Sequence, residues 1–278
     1  MNRPHAPRTG DEEYWREFLS GGHSMEHALR KVLKLIPHDP RCRLCAAPFA
    51  GVGGPVMRLV GKRPSDKNPN WCATCFSFMR KHHGGAEIEC TLLFADVRGS
   101  TALAEGISAA DFRSLMERFY NTAADTVFDQ DGIVDKFVGD ELVAIFFPLL
   151  AGNGHAKKGL TAAEALLEAT GHADPEGPWV TLGAGLHTGT AWVGAVGDGV
   201  HTSITALGDA VNTAARLSSA AGAGEILVTV AAAEAAGLDP GGERSTLELR
   251  GKEQRTEVVR LLVAPPKNGA TRGPTARP

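Results

Sequence analysis

The order of apolar runs after residue 86 leaves this chain few folds. EIECTLLFADV (87–97) reads as a buried strand that ends on Asp96. SAADFRSLMERFYNTAADTVFDQ follows as an amphipathic helix. Phe112, Leu115, Met116, Phe119, Tyr120, Ala123 and Val127 line one face, and Ser108 with Asp111 forms a capping-box-like start. After an Asp131-Gly132 turn, GIVDKFVGDELVAIFF makes two strands joined at Gly139. A helix over 154–170, the strand WVTLGAGLHTG, a partner strand TAWVGAVG and a helix from Asp209 to Ala220 come next. The strand EILVT, a short helix and the strand-like runs STLELRG and TEVVRLLV complete the pattern. Strand–helix–strand–strand–helix–strand is an α+β sandwich, with helices on one face of a mostly antiparallel sheet.

The residues upstream are organised differently. Residues 12–36 have helical spacing broken at Gly21-Gly22, with Pro37 as the stop. Four of the five cysteines then form two pairs, Cys42-Arg-Leu-Cys45 and Cys72-Ala-Thr-Cys75, with 26 residues between them. Two such turns can close a tetrahedral four-sulfur site, and the Gly- and Pro-rich segment between them suits a small zinc-ribbon-like module. Bound metal would supply much of the module's folding energy. Structural zinc is expected, with an iron–sulfur centre as the alternative. His82 or His83 could replace one sulfur, although a solvated pair is the simpler reading. Cys90 reads as a small buried strand residue. The expected organisation is a helical segment (1–39), a four-cysteine module (40–83), a main domain (87–264) and a disordered tail (265–278).

Charge narrows the partners. Residues 1–86 hold 14 Lys/Arg against 7 Asp/Glu, and the remainder holds 15 against 25. The basic residues are scattered, and thiolates would offset them, which argues against nucleic acid. No apolar run approaches the roughly 18 residues of a membrane span. MNRPHAPRTGDEEYW lacks an apolar signal core, so a cytoplasmic location is expected.

Three places carry candidate chemistry. Asp96 sits at a strand end before Gly99-Ser100-Thr101, whose amides could cradle phosphates around a divalent ion; an Asp before a turn can equally be a cap. Asp140 lies on the hairpin that this fold brings beside the first strand. Two carboxylates sharing a site call for cations between them, and two Mg²⁺ or Mn²⁺ ions would meet that need. A solvated hairpin acid is the plain alternative. Asn212 and Arg216, four apart in ITALGDAVNTAARLSS, share a helix face and suit phosphate oxygens, or simply face solvent.

FADVRGST, DKFVGDE, GLHTGTAWVGAVG and LGDAVNTAARL, in this order and spacing, resemble the catalytic domain of the class III nucleotidyl cyclases over residues 87–264. The resemblance implies a ferredoxin-like βαββαβ palm and a head-to-tail homodimer with active sites between subunits. Asp96 and Asp140, with the Val97 backbone carbonyl, match the metal ligands. Lys136 matches the adenine-reading lysine, and Thr205 stands where many adenylyl cyclases have an aspartate. Asn212 matches the ribose-orienting residue and Arg216 the arginine that stabilises the transition state, while Lys252 lies near a triphosphate-binding lysine. The activity implied is conversion of ATP to cyclic AMP, with guanylate cyclase or a weak cyclase-like sensor as alternatives. Lys136 and Asp140 would then serve different sites of the dimer. The Thr-bearing subgroup suggests bicarbonate as an effector, and the cysteine module suggests redox state or metal, acting through a hinge near Gly84-Gly85.

Overall fold

The computed structural model describes residues 9–21, 24–36, 40–66, 69–197, 203–239, 244–248 and 255–265. The elements run α1 (Thr9–Leu19), α2 (Ser24–Lys34), α3 (Gly53–Leu59), α4 (Ala73–Lys81), β1 (Gly84–Val97), α5 (Ser100–Gly106) and α6 (Ala109–Asp129). There follow β2 (Ile133–Val138), β3 (Glu141–Phe146), α7 (Pro148–Ala151), α8 (His155–Ala169), β4 (Leu182–Val196) and β5 (Ser203–Leu207). The last are α9 (Asp209–Ala220), β6 (Glu225–Thr229), α10 (Val230–Ala236), β7 (Arg244–Leu247) and β8 (Thr256–Leu262). None of the described helices is long and apolar enough to cross a membrane.

The sheet order is β2-β3-β1-β4-β6-β8-β7, with β5 pairing β4. Its first four strands, with α6 and α8, form the expected ferredoxin-like βαββαβ unit. The Ser108 cap of α6 also forms: its hydroxyl accepts from the Asp111 amide at 3.1 Å and donates to the Asp111 carboxylate at 2.7 Å.

Alternation along β1 creates two cores. Leu93, Ala95 and Val97 pack under α6, α8 and α10, whereas Ile88, Cys90, Leu92 and Phe94 face the opposite way. That second face is not left to water, contrary to a one-sided layer of helices. It is covered by α9, by α1 and by the cysteine segment, through Trp15, Leu19, Leu44, Phe49 and Met79. The physical reason is that β1 is apolar on both faces, and each large side chain buried there contributes about 1.5–3 kcal/mol.

Two local expectations change. WVTLGAGLHTG and TAWVGAVG are one continuous strand, β4, paired with β1 from Val97↔Leu182 to Gly84↔Ala195. An unbroken ladder keeps the Gly/Thr-rich middle extended, and the true hairpin partner is β5. Gly84 and Gly85 lie inside the same ladder, so they are strand and not hinge. The N-terminal helical segment is divided as expected, with Gly21 at φ +80° between α1 and α2. Residues 266–278 of the expected tail lie outside the described residues.

The cysteine segment contains α3, α4 and two isolated bridges, Arg41↔Pro48 and Pro64↔Cys72. A ring cluster joins it to α1, with Phe18 and Phe78 centroids 5.2 Å apart.

Candidate active site

Asp96 enters the site because β1 ends there, and Asp140 because the β2–β3 turn stands beside it. Gly139 makes that turn at φ +62°, a left-handed conformation that favours glycine. The Val97 amide donates to the Asp140 carbonyl at 3.4 Å, holding the turn against the strand end. Burial pushes the Asp96 carboxyl up; the adjacent Arg98 opposes the rise, and Asp140 adds to it. Glu141, the next residue, is pushed up to about 7, first by burial and then by Asp96. Arg98 pairs with Asp96 and also donates to the Ser219 and Ala221 carbonyls at 3.4 and 3.3 Å, tying the acidic site to the end of α9. Asp96 and Asp140, with Glu141 close enough to be pushed up by both, supply carboxylate oxygens of the kind hard divalent cations take. Ser100 and Thr101, which follow Gly99 at the start of α5, line an open cavity of about 470 Å³ with Asp140 and Tyr120.

A second cluster forms away from these acids. Lys136 turns to Thr205 on β5, its Nζ donating to Oγ1 at 3.5 Å. The Thr205 hydroxyl donates to Asp135 Oδ2 at 2.6 Å, and Lys136 Nζ lies 3.6 Å from the same carboxylate oxygen. Asp135 has a side chain only 3% exposed. Burial pushes its carboxyl up, while Thr205, Lys136 and the Ala206 amide pull the other way. Neighbours on a regular strand point to opposite faces, yet Asp135 and Lys136 converge. The cause is a bulge: Val134 pairs with Ala144 and Lys136 with Val143, leaving Asp135 outside the ladder. Strand alternation in the sequence points Asp135 away from Lys136, so reading along the chain missed it.

Asn212 and Arg216 lie four apart on α9, exposed and half-buried respectively. The helix sits directly on β4 because Gly185 has no side chain; a Cβ there would stand 2.3 Å from the Ser218 nitrogen and 2.6 Å from the Ala214 oxygen. His187, in the GLHTG stretch, is a satisfied sheet residue whose Nδ1 lies 3.0 Å from Thr229 Oγ1. Lys252 lies outside the described residues.

The four paired cysteines converge as well, with all four sulfurs within 4.8 Å of one another. The Cys45 and Cys72 sulfurs are 3.8 Å apart, the edge of a tetrahedron with metal–sulfur bonds of about 2.3 Å. The cysteines are free thiols, and the Cys72 amide donates to Cys42 Sγ at 3.2 Å. Hydrogen bonding from Cys42 lowers Cys45 and holds Cys72 at about 7, while Cys42 and Cys75 are driven up. Four sulfurs this close, at the spacing of a tetrahedral site, are a donor set that fits a structural metal. His82 is not in this group; it packs on Phe78, ring centroids 4.8 Å apart.

Comparison with known proteins agrees with the fold. Adenylate cyclase 1 of Rhizobium meliloti (strain 1021) is 33% identical over 144 residues, 49% of this chain and 22% of that protein. The match spans 22–26% of the length of such curated relatives. The adenylyl cyclase CyaB from P. aeruginosa superposes with a TM-score of 0.55 at 25% identity, covering 63% of this chain and 95% of that one. The guanylyl cyclase Cya2 gives 0.57 at 23% identity, covering 63% and 92%, a likeness of fold. Residues 85–259 match the family model of the Adenylate and Guanylate cyclase catalytic domain, more than half of the chain, and the chain belongs to that family.

Proposed function

We propose that this chain is an adenylate cyclase. It converts ATP to 3′,5′-cyclic AMP and pyrophosphate at a homodimer interface, with two divalent ions per site, and its cysteine module regulates the output. The observation that carries the reading is the meeting of Lys136 and Thr205, a donor and a hydroxyl 3.5 Å apart on β2 and β5.

In this reading Lys136 donates to adenine N1, which accepts, whereas the corresponding nitrogen of guanine is itself a donor. Thr205 takes the 6-amino group. Asn212 orients the ribose, and Arg216 meets the charge that develops on the α-phosphate as the 3′-oxygen attacks and pyrophosphate leaves. The amides of Gly99, Ser100 and Thr101, with Lys252, hold the phosphates. Asp96, Asp140 and the Val97 carbonyl would hold Mg²⁺ or Mn²⁺, which would favour the ionised 3′-hydroxyl and offset charge on the phosphates. In a dimer with its active sites between subunits, Lys136 and Asp140 serve different sites, a reading supported by Lys136 turning to Thr205.

The cysteines would hold zinc. Regulation runs through Arg30, which donates to the Arg43 carbonyl at 3.0 Å and to the Leu44 carbonyl in the first cysteine turn. Its Nε also reaches Asp131, two residues before β2, the strand that carries Lys136.

The test is incubation of purified protein with manganese and either ATP or GTP, beside Asp96→Ala. Cyclic AMP that vanishes in the variant supports the reading. Cyclic GMP as the main product overturns the role given to Lys136 and Thr205. Absence of either product from dimeric, metal-replete protein overturns the enzyme.

A further inference from the structure

We infer that Asp135 sets the purine specificity of the site by taking the Thr205 proton and leaving Thr205 able only to accept. The inference rests on the proposed reading of Lys136 and Thr205 as the base-contacting pair and adds a residue to it.

Proton counting carries the argument. A threonine hydroxyl has one proton and two lone pairs, an ammonium only donates, and an ionised carboxylate only accepts. Thr205 lies between one of each: Lys136 Nζ at 3.5 Å and Asp135 Oδ2 at 2.6 Å. Neither neighbour allows the reverse orientation, so the Thr205 proton is committed to Asp135. Lys136 takes one lone pair and one remains. A 6-amino purine can donate to that lone pair. A 6-oxo purine sets oxygen against oxygen and leaves both acceptors unpaired, the arrangement that costs most in a dry site.

The geometry is built for this task in two respects. Asp135 is shielded, with its side chain 3% exposed, so water does not compete for the Thr205 proton. The nearby Ala206 amide, from the residue after Thr205, also favours the charged carboxylate, and the 2.6 Å bond registers carboxylate and hydroxyl to one another across β2 and β5. The bulge at Asp135 is what brings the carboxylate to the same side as Lys136. An unshielded Thr205 could rotate its proton toward either purine; this one cannot. Asp135 is thus a positioning residue that acts through Thr205.

The experiment measures kcat/KM of the full-length dimer with ATP, inosine triphosphate and purine riboside triphosphate, which has no 6-substituent. The wild type is expected to favour ATP over purine riboside triphosphate by about tenfold, the worth of one well-made hydrogen bond. Asp135→Asn can donate its amide to Thr205 and free the hydroxyl proton, so the ratio of ATP to inosine triphosphate should fall about tenfold, mainly by gain with the oxo purine. In a Thr205→Val background Asp135→Asn should change the ratio no further. An unchanged ratio in Asp135→Asn, with Thr205→Val altering it, overturns this inference alone. An unchanged ratio in both Thr205→Val and Lys136→Met overturns the underlying base-reading pair. Should Asp135→Asn fail to fold by circular dichroism, the wild type decides: equal kcat/KM for ATP and purine riboside triphosphate excludes an obligate acceptor at Thr205.

Discussion

Arg30 reaches Asp131 across 101 residues of sequence, with Nε 3.3 Å from Oδ1. The same guanidinium binds carbonyls of the first cysteine turn, and its side chain is only 3% exposed. One buried side chain therefore links the sulfur cluster to the turn that launches β2. Arg30→Met should destabilise the chain by about 3 kcal/mol, the lower end for breaking a buried pair, since Lys34 and Lys158 remain on Asp131. It should also make cyclase activity insensitive to stripping of the cysteine metal. Denaturant melts and activity assays with and without a thiol-reactive chelation step check both parts. Unaltered sensitivity would place the coupling elsewhere.

Asp131 makes a pH prediction. Burial raises its carboxyl, but bonds to Lys158 and Lys34 outweigh this and hold it at about 2. Its folded pKa lies below the unfolded value of about 3.9, so its stabilisation is complete above that value and is lost as pH falls toward 2. Asp131→Asn should cost about 2 kcal/mol at pH 7 and flatten the acid limb of the stability curve between about pH 4 and 2. Parallel urea titrations across that window read the difference, and identical acid limbs would count against the ion cluster.

The cysteine site should bind one metal ion per chain, zinc by mass spectrometry of the purified protein. Removing it by chelation, or by Cys45→Ser, should lower Tm by at least about 5 °C, because the segment shares a core with β1, β4 and α9. A metal-free protein with an unchanged melting curve would rule out a structural ion.

Gly185→Ala tests how α9 is seated. The new methyl would meet backbone atoms of Ser218 and Ala214 at 2.3 and 2.6 Å, and backbone cannot rotate away. The expected cost is roughly 2–3 kcal/mol, with kcat falling further than stability as Asn212 and Arg216 shift together. Equal losses in kcat and folded fraction would make the glycine structural only.

A shared interface site, with Asp96 supplied by one subunit and Arg216 by the other, predicts complementation. Asp96→Ala and Arg216→Ala should each be inactive as homodimers. Mixed and re-equilibrated in equal amounts they should recover about a quarter of wild-type activity, since half the dimers then carry one intact site. No recovery from a mixture shown to contain heterodimers would contradict sites built from two subunits.

Much of this protein could be read along the chain. Periodicity marked β1, α6, α9 and β6, the Ser108 cap marked a helix start, and the spacing of the cysteine pairs marked four sulfurs that meet. Asp96 and Asp140 were legible for the same reason, since strand ends and hairpin turns are local features whose positions follow from local pattern. Asp135 was not, because a bulge reverses the direction that alternation assigns to its side chain. Arg30 and Asp131 were not, because a buried ion pair between distant residues has no local signature. Nor did the sequence disclose that the cysteine segment shares a core with α9: the second apolar face of β1 needed a cover, and only packing chose which part of the chain supplied it.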